Sequence, residues 1–105
     1  MPAIHLTEDI FKKLIQSNQP VLVDFWAPWC GPCKALGPTM DKLSDLYKNK
    51  AIVGKINIDD APELAAKLEV SSIPTVKLFK NGQEIESFTG AYPQGKYQQV
   101  LEANL

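Results

Sequence analysis

Two cysteines, Cys30 and Cys33, stand three positions apart in Trp29-Cys30-Gly31-Pro32-Cys33 and are the only thiols in the chain. Residues at i and i+3 of a helix have Cβ atoms roughly 5–6 Å apart, and a small adjustment reaches the ~3.8 Å that a disulfide needs. A pair at the head of a helix can therefore close and open without rebuilding the fold, as two-electron redox chemistry requires. A free thiol with pKa ~8.5 is only about 3% ionised at neutral pH, and bringing it to ~7 takes roughly 2 kcal/mol of thiolate stabilisation. The helix dipole provides about 0.3–1 kcal/mol; unpaired first-turn N–H groups, with the second thiol as donor, can provide the rest. Cys30, nearer the terminus and the solvent, is expected to attack. Cys33, one turn inside and shielded, is expected to resolve the mixed disulfide. Pro32 suits the first turn, where its missing N–H would be unpaired, and Gly31 lets a bulky partner approach.

Two other uses of the pair compete. As a structural staple, a loop this short would remove only about 2 kcal/mol of unfolded-state entropy, and a reducing compartment works against a purely structural bridge. Zinc needs about four ligands, and beyond the cysteines there is one histidine, His5, far away in sequence. No metal is expected. Three further positions carry two readings each. Asp24 lies inside the apolar run VLVDFW, where burial would raise its pKa; it is either a proton-transfer group or a hydrogen-bonded structural acid. Lys55 either pairs with Asp24 and tunes it or reaches solvent. Pro74, after Ile73, is ordinary turn chemistry before a strand or part of the site.

The elements that must position these residues alternate along the chain. Residues 2–5 read as a short edge strand. Thr7 looks like an N-cap with Glu8 and Asp9 in the first turn, and Ile10, Phe11, Leu14 and Ile15 supply a helical apolar face. Val21 to Trp26 is apolar on both faces apart from Asp24, as a central strand covered on both sides would be. A helix from Cys30 or Pro32 to about Asn49 follows, with Leu36, Met40, Leu43, Leu46 and Tyr47 inward and Pro38 inside it, where it removes a hydrogen bond and should kink the helix. Ala51 to Ile58 is a second central strand. Asp60 is the expected cap of a short helix beginning at Pro62 and ending near Val70. Thr75 to Lys80 and Gln83 to Phe88 are strands joined by Asn81-Gly82, a strong hairpin signal. A last helix covers about Pro93 to Asn104, with Tyr97, Val100 and Leu101 inward. The order β-α-β-α-β-α-β-β-α and right-handed crossovers predict one mixed sheet with helices on both faces.

Composition narrows the class. The 105 residues, 45% hydrophobic and 22% charged, suffice for one core and a single domain over 1–105. The net charge of −1 gives no electrostatic reason to expect nucleic acid or an anionic membrane. All eleven basic residues are lysine, so no bidentate guanidinium clamp is available. The N-terminal stretch lacks the basic and apolar regions of a secretory signal, and a cytoplasmic location is expected.

Taken together, VDFWAPWCGPC at 23–33, Lys34, Pro38, Lys55, Ile73-Pro74-Thr75, Asn81-Gly82 and Gly90 resemble the thioredoxin family over essentially the whole chain. The resemblance implies an α/β thioredoxin fold: a central mixed β-sheet of about five strands with about four helices on both faces. It implies a protein-disulfide reductase, because Gly31-Pro32 stands where related oxidases and isomerases carry Pro-His or Gly-His. A non-catalytic interaction module on the same fold and a disulfide oxidase or isomerase are the alternatives. By resemblance, Asp24 assists deprotonation of Cys33, the Ile73-Pro74 peptide is cis, and Trp29, Gly31, Pro32, Ile73, Pro74, Gly90 and Ala91 form a flat apolar patch that receives an extended substrate. Gly31, Pro32 and Lys55 tune the redox pair. No cofactor is bound; NADPH acts through a partner thioredoxin reductase. The implied protein substrates include ribonucleotide reductase, peroxiredoxin and methionine sulfoxide reductase, and a monomer is expected. Tyr92-Pro93 departs from the family pattern, where a smaller or aliphatic pair is expected after Gly90-Ala91.

Overall fold

The computed structural model describes residues 2–105. Its elements are β1 (Ile4–His5), α1 (Glu8–Leu14), β2 (Val21–Trp26), α2 (Gly31–Leu46), β3 (Ile52–Asn57), α3 (Pro62–Lys67), β4 (Thr75–Lys80), β5 (Gln83–Thr89) and α4 (Gln94–Ala103). The strands form one sheet in the order β1-β3-β2-β4-β5. β1, β3 and β2, linked through α1 and α2, run parallel, whereas β4, although it follows α3, is antiparallel to both β2 and β5. The β4–β5 connection has Asn81 at φ 54° and Gly82 at φ 79°, the left-handed pair of a tight primed hairpin turn.

Alternation along β2 divides the core in two. Leu22 packs with Leu36, Met40, Leu43, Val76, Leu78, Phe88, Tyr97 and Leu101 under α2 and α4. Val21, Val23 and Phe25 pack with Phe11, Ile56, Leu64 and Phe79 under α1 and α3. Asp24 and Lys55, cross-strand neighbours, share the α2/α4 face with Leu22. Both faces of β2 are therefore dry, the physical reason its sequence is almost continuously apolar.

Three local expectations are corrected. Leu46 is 56% exposed: Leu36, Met40, Leu43 and Tyr47 already trace the inward stripe at steps of four, three and four, and Leu46 lies about 100° round from Tyr47. Ile10 is also exposed, leaving Phe11 as the buried anchor of α1. Asp60 does not cap α3; the cap position is Ala61, without a side-chain bond. A turn in which the Asp60 and Ala61 N–H groups donate to the Asn57 and Ile58 carbonyls carries the chain one residue further before Pro62 starts the helix. α2 passes through Pro38 as one helix.

Sheet order arranges the site. The C-terminal ends of β3, β2 and β5 and the N-terminal end of β4 all lie at one edge of the sheet. Asp59, Cys30, Pro74 and Gly90 leave or enter there in that spatial order, one strand spacing of ~4.8 Å apart.

Candidate redox site

Cys30 is the N-cap of α2, at φ −100° and ψ 111°, and its Sγ accepts the Cys33 N–H at 3.2 Å. A side chain at this position takes a hydrogen bond from the first turn because that N–H has no intrahelical partner. The two cysteines form a disulfide, with Cα atoms 5.3 Å apart. Pro32 occupies the first turn, where its missing donor costs nothing.

The expected contrast in exposure between the cysteines is present in direction but small. Cys30 is 7% exposed and Cys33 2%, because Ala27, Trp26, Ile58 and Ile73 pack around the pair. What separates them is place in the helix: Cys30 sits at the cap, facing the first-turn donors, and Cys33 lies inside the turn.

Asp24 is buried, and its Oδ1 has no hydrogen-bond partner. Burial pushes its carboxyl from the ordinary 3.8 up to about 7, and attraction to the Lys55 ammonium offsets only part of that rise. Of the two readings of Lys55, tuning of Asp24 stands, but by attraction at a distance and not by a direct ion pair. The Lys55 ammonium lies 3.9 Å from Asp41 Oδ1 on α2 and 6.0 Å from the Trp26 ring centroid, acting on Asp24 across the strand pair. Asp41 is itself held by the Ala3 N–H at 2.9 Å.

The Ile73-Pro74 peptide is cis, and Cys30 Sγ lies 3.8 Å from the Ile73 carbonyl oxygen. The Gly90 N–H donates to the Pro74 carbonyl at 2.8 Å, so the three loops are tied side by side. Trp29, Gly31, Pro32 and Ala91 are exposed, and Ile73 and Gly90 half-buried. Pro74 is corrected from surface to support: it is buried beneath the loop.

Sequence reasoning missed Asp59. Its Oδ2 accepts the Trp29 indole N–H at 3.0 Å, and its own N–H donates to Asn57 Oδ1 at 3.0 Å. Trp29, 68% exposed, is thereby held in place by a polar bond at its edge. The available signal was position: an acid just past a central parallel strand lies where open α/β sheets build their sites. Tyr97 has the spacing of a core residue, yet its hydroxyl accepts the Tyr92 N–H at 3.0 Å.

The geometry is that of a dithiol couple at the head of α2, preceded by a strand that buries an acid and flanked by exposed Trp29, Gly31, Pro32 and Ala91. Among the described residues, no group of three or more His, Cys, Asp or Glu is placed to hold a metal ion. The chain is 42% identical over 104 residues to thioredoxin 1 of Nostoc sp., covering 98% of this chain and 97% of that one. It is 42% identical over 101 residues to the chloroplastic M-type thioredoxin of Chlamydomonas reinhardtii, covering 95% and 72%. A solved structure concerned with thiol resolution in yeast mitochondrial 1-Cys peroxiredoxin through glutathione and thioredoxin systems superposes with a TM-score of 0.84 at 31% identity, over 96% of this chain and 94% of that one. The thioredoxin family model matches residues 2–103, spanning all nine elements described above, and the chain belongs to the thioredoxin family.

Proposed function

We propose that this thiol–disulfide oxidoreductase reduces partner proteins by a two-step exchange in which Cys30 attacks, Cys33 resolves and Asp24 moves the proton. The Cys30 thiolate attacks one sulfur of the substrate disulfide. A Cys30–substrate bond forms, and the first substrate thiolate leaves and takes a proton from water. The Cys33 thiol then gives its proton to the Asp24 carboxylate, and its sulfur attacks Cys30 Sγ. The Cys30–Cys33 disulfide closes, the second substrate thiolate leaves, and one electron pair has passed from protein to substrate. The observation that carries this assignment is Cys30 at the helix cap, where first-turn N–H groups stabilise a thiolate. An acid with pKa about 7 exchanges protons readily near neutrality.

The electron pair resides on the two sulfurs, and thioredoxins need no cofactor. Recharging by a thioredoxin reductase that draws on NADPH completes the cycle. The protein acts as a single-domain monomer, and its substrates include ribonucleotide reductase, peroxiredoxin and methionine sulfoxide reductase; the structural neighbour's connection to a peroxiredoxin supports that class. A reducing compartment such as the cytoplasm suits the same chemistry. The relative named as chloroplastic makes a plastid the alternative, which localisation of the tagged protein decides.

The direct test is Cys33→Ser. The variant accumulates a covalent Cys30–substrate adduct with a disulfide protein such as insulin, visible on non-reducing gels and released by dithiothreitol. Wild-type turnover with no adduct in the variant would reject the assigned division between the cysteines.

A further inference from the structure

The Tyr92-Pro93 departure acquires a role from its surroundings. The segment from Gly90 to Pro93 is pinned at two points: the Gly90 N–H on the Pro74 carbonyl and the Tyr92 N–H on the buried Tyr97 hydroxyl. Three rings close round the second point. Phe88 meets Tyr92 at 5.5 Å and 63° and Tyr97 at 5.7 Å and 88°, and Tyr92 meets Tyr97 at 6.4 Å and 84°. These are edge-to-face pairs, each favourable beyond its area. Tyr97 is fully buried, while Tyr92 keeps 39% of its surface exposed next to the exposed Ala91.

A large ring left partly exposed on a doubly tethered loop is a prearranged contact surface, because little side-chain entropy remains to be lost on binding. The sheet sets the scale of the separation between this loop and the chemistry. Gly90 leaves β5 two strand spacings from β2, which leads to Cys30, about 10 Å. An extended polypeptide covers that span in about three residues.

Resting on the reductase reading, we infer that Tyr92 is a specificity-determining residue that contacts an apolar side chain about three residues from the attacked cysteine of the substrate, and that Tyr97 positions it through its hydroxyl. Trp29, tethered by Asp59 on the β3 side, and Tyr92 on the β5 side then bracket the attacked bond. Substrates carrying an apolar residue at that separation are preferred over those carrying a small polar one.

The test uses the full chain, reduced, and measures second-order rate constants with synthetic disulfide peptides. Two series carry Leu or Ser three residues from the cysteine, one on its N-terminal and one on its C-terminal side, and hydroxyethyl disulfide serves as a small substrate without side chains. In one series the wild type prefers Leu by about fivefold, in keeping with loss of one well-packed contact. Tyr92→Ala abolishes that preference and leaves the rate with hydroxyethyl disulfide within about twofold. Tyr97→Phe, which keeps the ring and removes the hydroxyl, weakens the preference, and has no further effect in the Tyr92→Ala background. A purely structural role for Tyr97 would instead lower all rates together, or act equally in both backgrounds. No Leu preference in either series, or a preference that survives Tyr92→Ala, overturns the inference while the reductase reading stands. Failure of the wild type to reduce even hydroxyethyl disulfide overturns both. Should Tyr97→Phe fail to fold, the Tyr92→Ala comparison alone decides.

Discussion

Replacing Asp24 with asparagine separates the cost of this buried acid from its use. The carboxyl titrates at about 7 in the folded protein against an ordinary 3.8, so the folded state holds its proton over a range where the unfolded chain has released it. Stability therefore falls as pH rises through that interval and levels off above the folded value. The difference of roughly three units corresponds to about 4 kcal/mol lost by the wild type near pH ~8, about 2 kcal/mol near pH ~5 and almost nothing near pH ~3. The asparagine side chain carries no charge at any of these values, and it is nearly isosteric with aspartate in a site where Oδ1 already lacks a partner. The Asp24→Asn variant is thus expected to be more stable than the wild type by these amounts. With a urea m-value of about 1–2 kcal/mol/M, the gain near pH ~8 displaces the unfolding midpoint of the disulfide form by about 2–4 M. The same substitution removes the proton acceptor, so resolution of the mixed disulfide slows more than its formation. A gain independent of pH would show that ionisation of Asp24 is not what the fold sustains. Equal slowing of both exchange steps, or of neither, would refute the assigned role.

Three shorter predictions probe the surroundings. Lys55→Met removes the cation that partly offsets burial at Asp24, so the Asp24 pKa rises further; the pH profile of mixed-disulfide resolution moves to higher pH, as stopped-flow measurements will show. Glu84→Gln strips the carboxylate 3.0 Å from the buried Lys77 ammonium and leaves Ser87 Oγ at 3.2 Å as its remaining side-chain partner. The cost in urea unfolding is about 1–2 kcal/mol, less than for a fully buried pair because Glu84 is 40% exposed and water screens it. Gly54→Ala would place a Cβ 2.6 Å from Leu6 Cδ1 and 3.2 Å from the Ile4 carbonyl oxygen, disturbing the β1–β3 pairing; it destabilises by about 1–3 kcal/mol, with the rate on hydroxyethyl disulfide preserved.

Much of this molecule was legible in its sequence because the governing forces are local. The order of nine elements follows from apolar periodicity within each segment. The Asn81-Gly82 turn follows from the two positive φ values that those residues tolerate, and the redox pair from i, i+3 spacing at a helix start. Burial of Asp24 could be read from the apolar residues on either side of it. The misreadings share a different origin. Lys55 meets Asp41 rather than Asp24 because the crossing of α2 over β3 brings a second acid to it, and no pattern around residue 55 encodes that crossing. Trp29 and Asp59 are 30 positions apart and meet only because β3 lies beside β2. Cys30 is buried because Ile58 and Ile73, from two other loops, close over it. Tyr97 has the inward spacing of any core residue, and its hydroxyl becomes the tether of Tyr92 only when α4 is laid against the end of β5. Residue types and spacing thus determined which chemistry the chain can perform. Strand order decided which side chains surround that chemistry, because neighbours across a sheet are set by long-range packing rather than by distance along the chain.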